Sequence, residues 1–330
     1  MPLILAIESS CDDTSAALVR DGVVLSNVTA GQAIHEEFGG VVPEHASRAH
    51  QRNIVPTVAV AFSRAGVTAE EVDAVAFTRG PGLIGSLMVG VSFAKAFALA
   101  RDLPLIEVDH MRAHVLAHFA EAPKPTFPFL CLTVSGGHTQ LVVVKTALEQ
   151  ETIGRTIDDA AGEAFDKSGK MLGLPYPAGP EIDRLAQAGR PTIEFARPDP
   201  GELNFSFSGL KTSILYTLRK RIKTEPDFVK DNLNDICASI QHTIVQILLR
   251  KLTMAAGQTG LTQIALAGGV SANSGLRAAV GELAEEKGWT VFIPRIEYCT
   301  DNAAMIGVTG TFKYAAGEFV GQEVAPAARF

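Results

Sequence analysis

The sequence predicts an α/β protein that is built from two related domains. Apolar, strand-like runs alternate with helical patterns, as at Val72–Phe77 and Leu105–Val108, each of which precedes a helix. The hairpin pattern of Leu5–Val19 recurs without a gap at Leu130–Val144. A duplicated domain with a cleft between its halves fits these observations, because the period of the repeat is far too long for a solenoid.

The first elements form a meander of strands. Leu3–Ile7 and Ser15–Val19 are apolar runs, and Asp21-Gly22 is a hairpin turn that leads into Val23–Val28. The same order of strand, turn and strand recurs at Leu130–Val144, where Ser135 occupies the position that corresponds to Ser10.

Strands followed by glycine-rich turns extend the repeat. Val75–Phe77 before Gly80-Pro81-Gly82 has the same layout as Ile264–Leu266 before Gly268-Gly269. We predict a first domain of residues 1–108 plus about 305–330, and a second domain of residues 109–304 that carries the metal and nucleotide sites. Three prolines at 123, 125 and 128 form a stiff connector near this boundary. Pro191–Phe207 has no clear period and is expected to be a surface loop.

Composition favours a soluble, cytoplasmic protein. The chain is 47% hydrophobic and 20% charged, and no uninterrupted apolar run approaches the roughly 18 residues of a membrane span. Its start has no basic region of a signal peptide. Four scattered cysteines without a CxxC pair indicate buried thiols rather than a disulfide framework or a zinc knuckle.

The charge argues against a protein that binds nucleic acid by charge alone. The net charge is −7, whereas such binding needs many cationic contacts to phosphates. A local basic cluster does occur at Arg219, Lys220, Arg221 and Lys223. It is either a solvated helix face or an RNA contact.

Three residues form a candidate metal site. His110 and His114 are four residues apart after a strand, with Asp109 as the helix N-cap, so both imidazoles face one side. Asp301 is a third candidate, and a helix N-cap is its alternative role. Two imidazoles and one carboxylate leave coordination positions open, as in a catalytic site.

Two glycine-rich turns and an acidic turn complete the candidates. The turns Val134–His138 and Gly268–Asn273 suit either an anion or a tight bend. Asp12 and Asp13 lie in the first hairpin, where an aspartate also stabilises turns.

Together these segments resemble one family along nearly the whole chain. The matching strings are IESSCDDTSAALV, FGGVVPEHASRAH, GPGLIGSLMVG, HMRAH, VSGGHTQL, IDDAAGEAFDK, YPAGP, FSFSGLKT, AGGVSAN and CTDNAAMI. The sequence is similar to the bacterial tRNA threonylcarbamoyladenosine transferase family (TsaD-like). The resemblance implies duplicated ribonuclease-H-like domains of the actin-like, sugar-kinase and Hsp70 type around a nucleotide cleft.

The resemblance also implies an activity and its residues. Members transfer a threonylcarbamoyl group from threonylcarbamoyl-AMP to N6 of the adenosine adjacent to the anticodon in tRNA. His110, His114 and Asp301 would hold one divalent metal per chain, reported for the family as iron, with zinc and magnesium as alternatives. Asp12 falls on the family's acidic turn and would be the general base. The residues expected to bind the adenylate are Val134, Ser135, Gly136, Gly137, His138, Asp166, Gly179, Asp183 and Asn273.

The family's partners are expected here as well. They are tRNA, a related scaffold subunit (TsaB-like) and a small ATPase (TsaE-like), with a homodimer as the state in isolation and no membrane. We expect docking through the helix after Gly80-Pro81-Gly82, which is apolar on two sides. One side, which includes Ile84, should cover the domain's own sheet, and the other, which includes Phe93, should be either core or interface.

The sequence departs from the family pattern in places, and three other functions compete. Asp13 replaces the usual glutamate, Asp109, Arg112 and Ala113 replace three residues of the metal helix, and Ala178 replaces a glycine. A small-molecule kinase would not need the histidine pair. A metalloprotease would need a general base that HMRAH lacks. A degenerate scaffold subunit would be expected to lack the metal ligands.

Overall fold

The chain folds into two compact units. In this computed structural model, which describes residues 2–31 and 40–329, the first unit comprises Met1–Pro125, Thr146–Glu149 and Pro294–Phe330, and the second comprises Thr126–Lys145 and Gln150–Ile293. These limits differ from the predicted ones after residues 108 and 304, so that all three candidate metal ligands belong to the first unit. The string FGGVVPEHASRAH begins on Phe38 and Gly39, which lie outside the described residues.

The helices of the described chain are named here in chain order. They are α1 (Pro43–Ala65), α2 (Ile84–Arg101), α3 (His110–Leu116), α4 (Ala161–Leu172), α5 (Ala178–Ala186), α6 (Ser208–Ile222), α7 (Phe228–Asp231), α8 (Leu233–Thr259), α9 (Ser274–Lys287), α10 (Ile296–Cys299) and α11 (Ala303–Ala315). Short 3₁₀ turns lie at Ala69–Glu71, Ala117–Phe119 and Gly269–Ala272.

The first unit contains a mixed five-stranded sheet. Its strands are β1 (Leu3–Glu8), β2 (Thr14–Arg20), β3 (Val23–Ala30), β4 (Ala74–Gly80) and β5 (Leu105–Asp109), in the order β3-β2-β1-β4-β5. β1, β4 and β5 are parallel, β2 is antiparallel to β1, and β3 is antiparallel to β2. The predicted strands are confirmed with ends that differ by at most three residues. Asp21 and Gly22 both have positive φ, 53° and 74°, as a tight hairpin turn requires.

Helices cover both faces of this sheet, which explains why its central strand β1 is apolar from Leu3 to Ile7. Leu5 and Ile7 point to the side of α1 and α2, whereas Ile4 and Ala6 point to α11 and α3. Alternate residues of a strand face opposite sides, so a sheet that is buried on both faces needs no polar positions. The functional residues of the unit therefore lie where the strands end.

The second unit repeats this sheet. Its strands are β6 (Phe129–Val134), β7 (Thr139–Val144), β8 (Gln150–Arg155), β9 (Gln263–Ala267) and β10 (Thr290–Phe292), in the order β10-β9-β6-β7-β8. The register is repeated as well. Leu5 pairs with Leu18 and Val75, and its counterpart Leu130 pairs with Val143 and Ile264. The predicted duplication is confirmed, and each unit has the ribonuclease-H-like strand order.

The segment Pro191–Phe207 lacks helices and strands, as predicted, but it is not merely a surface loop. Phe195, Leu203, Phe205 and Phe207 are buried in the core of the second unit. Lys251, which is fully buried on α8, holds the segment by donating hydrogen bonds to Asp199 (2.8 Å) and to two backbone carbonyls. The loop thus completes the core that α6 and α8 share.

Helix α2 is long and apolar enough, by length and composition alone, to cross a membrane. Lys95 interrupts its apolar run, and Leu87, Val91 and Ala98 are buried in the core with the first sheet. One side of α2 is thus packed on the sheet of its own unit. Ile84, which was predicted to cover the sheet, is 49% exposed. As the first residue of the helix, it directs its side chain towards the N-terminus and away from the following turns.

Candidate active site

The three predicted metal ligands converge in the first unit. β5 ends at Asp109, whose side chain accepts hydrogen bonds from the backbone N–H groups of Met111 (2.8 Å) and Arg112 (3.0 Å), which confirms the predicted N-cap. The cap starts α3 so that His110 and His114 lie on one face. Their Nε2 atoms are 3.1 Å apart, and Asp301 Oδ1 lies 3.2 Å from His114 Nε2 and 3.4 Å from His110 Nε2.

These separations fit a common ion. Ligand atoms about 2.1 Å from one metal lie roughly 3.0 Å apart at octahedral angles and roughly 3.4 Å apart at tetrahedral angles. His110 and His114 are buried, and Asp301 is partly exposed, so that an ion would be held from the protein side and remain open on another. The donor set of two imidazoles and one carboxylate suits a catalytic transition metal.

Asp301 does not cap the following helix. Asn302 does so instead, since its side chain accepts a hydrogen bond from Met305 N (2.9 Å). The N-cap alternative for Asp301 is therefore wrong, because the chain turns one residue later than the local pattern suggested. The carboxylate of Asp301 is left to face the two histidines.

Glu8 is a functional residue that the sequence analysis missed. Its fully buried carboxylate accepts hydrogen bonds from Ser10 N (2.5 Å) and Thr78 Oγ1 (2.5 Å), and it lies 3.0 Å from His110 Nδ1. A carboxylate on the far nitrogen of a histidine fixes the tautomer that directs Nε2 at a metal. The available signal was an acid at the end of a wholly apolar strand.

Without a metal, a proton on His110 balances part of the negative charge of the two carboxylates. Burial works to lower the pKa of His110, but the charges of Glu8 and Asp301 outweigh burial and raise that pKa well above its usual value. Burial lowers the pKa of the neighbouring His114. The metal-free cluster therefore holds one imidazolium and one neutral imidazole between two carboxylates. An ion that binds both Nε2 atoms must displace the proton of His110.

The acidic turn follows β1 and is fixed from several sides. His50, which is fully buried, lies 2.8 Å from Thr14 Oγ1 through Nδ1 and 3.0 Å from the carbonyl oxygen of Cys11 through Nε2. Ser86 Oγ also donates to that carbonyl (2.9 Å). Burial, together with the charges of Asp12, Asp301 and Glu8, raises the pKa of Asp13 to about 7.

The second unit brings three glycine-containing segments together. A Cβ on Gly162 would lie 2.6 Å from Ser135 O, and a Cβ on Gly268 would lie 2.4 Å from Val134 O. Gly268 also has a φ of 83°, which favours glycine. The N-terminus of α4 and the turn after β9 thus pack against the turn that joins β6 to β7. Gly136 and Gly137 are exposed at its tip, where backbone N–H groups can approach an anion.

The other predicted adenylate residues have partners within the protein. Asp166 accepts a hydrogen bond from Ala178 N (2.8 Å), next to Gly179, and burial raises the pKa of its carboxyl group. Asp183 accepts from both the backbone N–H (2.9 Å) and the hydroxyl (2.7 Å) of Ser274. Asn273 caps α9 and donates to Gln241 Oε1 (2.7 Å). Asp183 and Asn273 thus fix the start of α9 after the second glycine-rich turn, and Asp166 fixes the start of α5.

The four cysteines are free thiols, as predicted. Cys131, Cys237 and Cys299 are buried, and Cys11 is partly exposed in the acidic turn. Burial, with the neighbouring Asp12, raises the pKa of the Cys11 thiol well above its usual range, so the thiol is protonated at neutral pH in the metal-free protein.

Comparison with known proteins assigns the chain to a family. Residues 23–308 match the profile of TsaD, tRNA N6-adenosine threonylcarbamoyltransferase. A protein of that name from Porphyromonas gingivalis is 56% identical over 333 residues, covering 99% of this chain and 98% of the relative. A protein of the same name from Salinibacter ruber is 51% identical over 318 residues, covering 96% of this chain and 95% of the relative.

Solved structures with the same fold are more distant. Full-length HypF in its phosphate- and nucleotide-bound form is similar with a TM-score of 0.61 at 14% identity, over 97% of this chain and 47% of that one. The activator of the 2-hydroxyisocaproyl-CoA dehydratase from Clostridium difficile, with bound ADPNP, has a TM-score of 0.52 at 11% identity, over 96% and 97% of the two chains. These likenesses concern the fold, while the sequence matches show that the chain belongs to the tRNA N6-adenosine threonylcarbamoyltransferase family.

Proposed function

We propose that this chain transfers the threonylcarbamoyl group from threonylcarbamoyl-AMP to N6 of the adenosine adjacent to the anticodon in tRNAs (t6A modification). The observation that carries the proposal is the convergence of His110, His114 and Asp301 in a chain that belongs to this transferase family. An adenosine amine is a poor nucleophile and the mixed anhydride is a strong electrophile. Positioning and charge stabilisation are therefore the main tasks of the protein.

His110, His114 and Asp301 would hold one divalent metal, which we propose to be iron, with zinc and magnesium as the alternatives to test. When bound, the ion supplies a Lewis acid for an oxygen of the donor substrate. Glu8 holds a proton on His110 Nδ1, so that the proton which an ion displaces is the one on Nε2, the ligand atom. The orientation of the ligand ring is thereby fixed before the ion arrives.

The adenylate is proposed to bind at the glycine-rich turns of the second unit. The turn follows Val134 at the end of β6, and Ser135 and His138 close it, because Ser135 N donates to His138 O (2.8 Å) and His138 N donates to Ser135 Oγ (3.1 Å). The exposed backbone N–H groups of Gly136 and Gly137 between them suit the phosphate of AMP. Gly179 and the side chains of Asp166, Asp183 and Asn273 complete this proposed site. Their hydrogen bonds within the protein support a role in shaping the turns around the nucleotide.

Asp12 is proposed to be the general base that accepts the amine proton. Asp12→Asn keeps the size of the side chain but removes the base, so we expect the single-turnover rate to fall by about 100-fold or more with nearly unchanged adenylate affinity. Asp13→Asn is the matched variant, since it alters the neighbouring carboxyl group, whose pKa of about 7 also suits proton transfer. A normal rate for Asp12→Asn together with a slow Asp13→Asn would assign the base to Asp13.

The activity itself is tested on tRNA nucleosides. Depletion of this protein should remove t6A from cellular tRNA, as measured by mass spectrometry, and the purified chain with its partners should restore it from threonylcarbamoyl-AMP. Persistence of t6A after complete depletion would contradict the proposal. The same assay with ATP in place of threonylcarbamoyl-AMP distinguishes the transferase from a kinase with the same fold.

Partner docking is proposed on the outer side of α2. Ile84, Met88 and Leu99 are 49%, 55% and 70% exposed and share that side of the helix. Phe93, by contrast, lies 6.2 Å from Phe97 between ring centroids and packs on the core of its own unit. An exposed apolar face next to a covered one suits the related scaffold subunit (TsaB-like) as its occupant.

Met88→Asp is expected to abolish that assembly without unfolding the chain. Met88 is exposed, so a carboxylate there remains solvated in the free protein but would be buried without a partner charge in the complex. Size-exclusion chromatography with the scaffold subunit measures the loss, and circular dichroism checks the fold. Ser92→Asp, on the same exposed side, is the companion variant, and normal assembly of both would exclude this face. Phe93→Asp is less informative, because it would disturb the core as well.

The remaining assignments follow from the same proposal. We place the protein in the cytoplasm, where tRNA is modified, and expect a small ATPase (TsaE-like) to join the complex. A homodimer through the same face of α2 is the expected state when the scaffold subunit is absent. Analytical ultracentrifugation of the isolated chain, with Met88→Asp as control, tests that expectation.

A further inference from the structure

Helix α6 carries a cationic surface that the metal and nucleotide sites do not use. From residue 203 to residue 224 the sequence has no aspartate or glutamate, although the net charge of the chain is −7. Five cationic residues occur in this stretch, and all of them are exposed: Lys211, Arg219, Lys220, Arg221 and Lys223.

Three of these five cations share one side of the helix. At 100° per residue, Arg219, Lys220 and Lys223 fall on the half opposite to the buried Leu210, Ile214 and Leu218, whereas Lys211 lies at the edge of the buried half. Within the described parts of the chain, these three side chains form no ion pair with an acidic residue.

Arg221 belongs to a different environment. It lies over the ring of Phe228, 5.4 Å from the centroid, and 3.7 Å from Glu225. The contrast matters, because a solvated helix face is usually neutralised by acids one turn away. The side formed by Arg219, Lys220 and Lys223 has no such acids on α6.

An aromatic ring lies within this cationic side. Tyr216 is 65% exposed, between Lys211 and the basic end of the helix. From Tyr216 to Lys223 the surface extends about 10 Å along the helix axis. Cations that follow a backbone, with an exposed ring among them on which a base can stack, are the pattern by which proteins bind single-stranded or looped RNA.

The surface is held to the segment that forms the proposed nucleotide site. Asp158 accepts hydrogen bonds from Ser206 Oγ (2.5 Å), Phe207 N (2.8 Å) and Ser208 Oγ (2.9 Å) at the start of α6. Asp158 directly precedes α4, where Gly162 N donates to Ser135 O (3.2 Å). Hydrogen bonds through Asp158 and the segment before α4 thus connect the start of α6 to the glycine-rich turn at Ser135 in the same unit.

We infer that this side of α6 binds the phosphate backbone of the tRNA substrate. The inference rests on the proposed function and adds to it the surface on which the RNA lies. Phosphates supply the negative charge that the helix lacks, which explains how an acidic chain binds an acidic substrate. A protein partner would instead need an acidic surface of its own with a pocket for Tyr216.

The test is tRNA binding by the full chain over a range of salt concentrations. The variant is Arg219→Gln/Lys220→Gln/Lys223→Gln. The matched control, Lys124→Gln/Arg190→Gln/Lys287→Gln, removes the same charge from exposed positions elsewhere. The α6 variant should bind unmodified tRNA about 10-fold more weakly, and the slope of log affinity against log salt should become shallower by about 2 to 3. The control should keep most of the wild-type slope, and Tyr216→Ala should weaken binding where Tyr216→Phe does not.

The outcomes separate this inference from the proposed function. Equal affinity and slope for the α6 variant and the wild type would overturn the inference and leave the proposed function intact. Wild-type protein that modifies no tRNA would overturn both. Loss of assembly with a protein partner, together with unchanged tRNA binding, would also overturn the inference and would make the partner of α6 a protein.

Discussion

Replacing His110 and His114 together by alanine should remove the bound metal and lower tRNA modification by about 1000-fold or more. The change deletes two of three ligand side chains, and Asp301 alone cannot hold an ion against competing water. Elemental analysis of the purified variant measures the metal, and circular dichroism measures the fold. His242→Ala is the matched control, because this histidine is exposed and lies outside the cluster.

A second variant is needed, because the double histidine substitution also destabilises the fold. Without the imidazoles, the buried carboxylate of Glu8 loses its charged neighbour, which can cost about 3–5 kcal/mol. Asp301→Asn leaves both histidines and Glu8 in place, and it should still weaken metal binding strongly. Stoichiometric metal in either variant would contradict the assignment.

The same site should bind its metal more tightly as the pH rises. The pKa of His110 in the metal-free protein is raised, so below that pKa a proton competes with the ion for Nε2. Above that pKa the competition ends and the affinity should level off. Competition with a chelator at several pH values measures this dependence, and a flat profile would mean that the ion does not use His110.

Glu8→Gln should lower metal affinity by about 10- to 100-fold, although Glu8 is not itself a ligand. The glutamine has the same size, but it has one amide oxygen in place of two carboxylate oxygens and no charge, so it cannot accept from Ser10 N, Thr78 Oγ1 and His110 Nδ1 as Glu8 does, and its hold on the His110 ring weakens. Two other donors, Ser10 N and Thr78 Oγ1, would face a group with fewer acceptor sites. Chelator competition and the visible spectrum of the cobalt-substituted protein are the readouts, and neither depends on activity.

Thr78→Val is the matched control for Glu8. It removes one hydrogen bond to the carboxylate and leaves the carboxylate–histidine contact in place. Its effect on metal affinity should therefore be much smaller than that of Glu8→Gln. Equal effects of the two substitutions would indicate that Glu8 serves the packing of the strand ends rather than the orientation of His110.

Much of the fold could be predicted because it depends on local patterns. The hairpins after Leu3 and Phe129 show runs of apolar residues that end in polar turns, and the repeat between them fixes the same register twice. The domain limits could not be predicted as well, because no local signal shows that the histidine helix packs with α11. Such a contact joins residues nearly two hundred positions apart.

The candidate site was predictable in its ligands but not in their surroundings. HMRAH indicates two histidines on one face, while the distance from His114 to Asp301 depends on where two distant segments meet. In the sequence, Glu8 only marks the end of a predicted strand. Its contact with His110 is formed by the fold and has no local signal. Asp183 resembles a ligand in sequence, whereas the structure pairs it with Ser274.

The interrupted course of the first unit has a consequence for synthesis on the ribosome. Translation proceeds from the N-terminus at about 5–20 residues per second, and domains fold as their chains emerge. All five strands of the first sheet precede the second unit, but Asp301 and α11 follow it. Until residue 301 is synthesised, the face of Ile4 and Ile106 is covered only by α3 and the turn after it, and two of the three proposed metal ligands are present. A chain truncated before residue 301 should therefore bind the proposed ion poorly, so that metal binding would follow synthesis of the segment that carries Asp301.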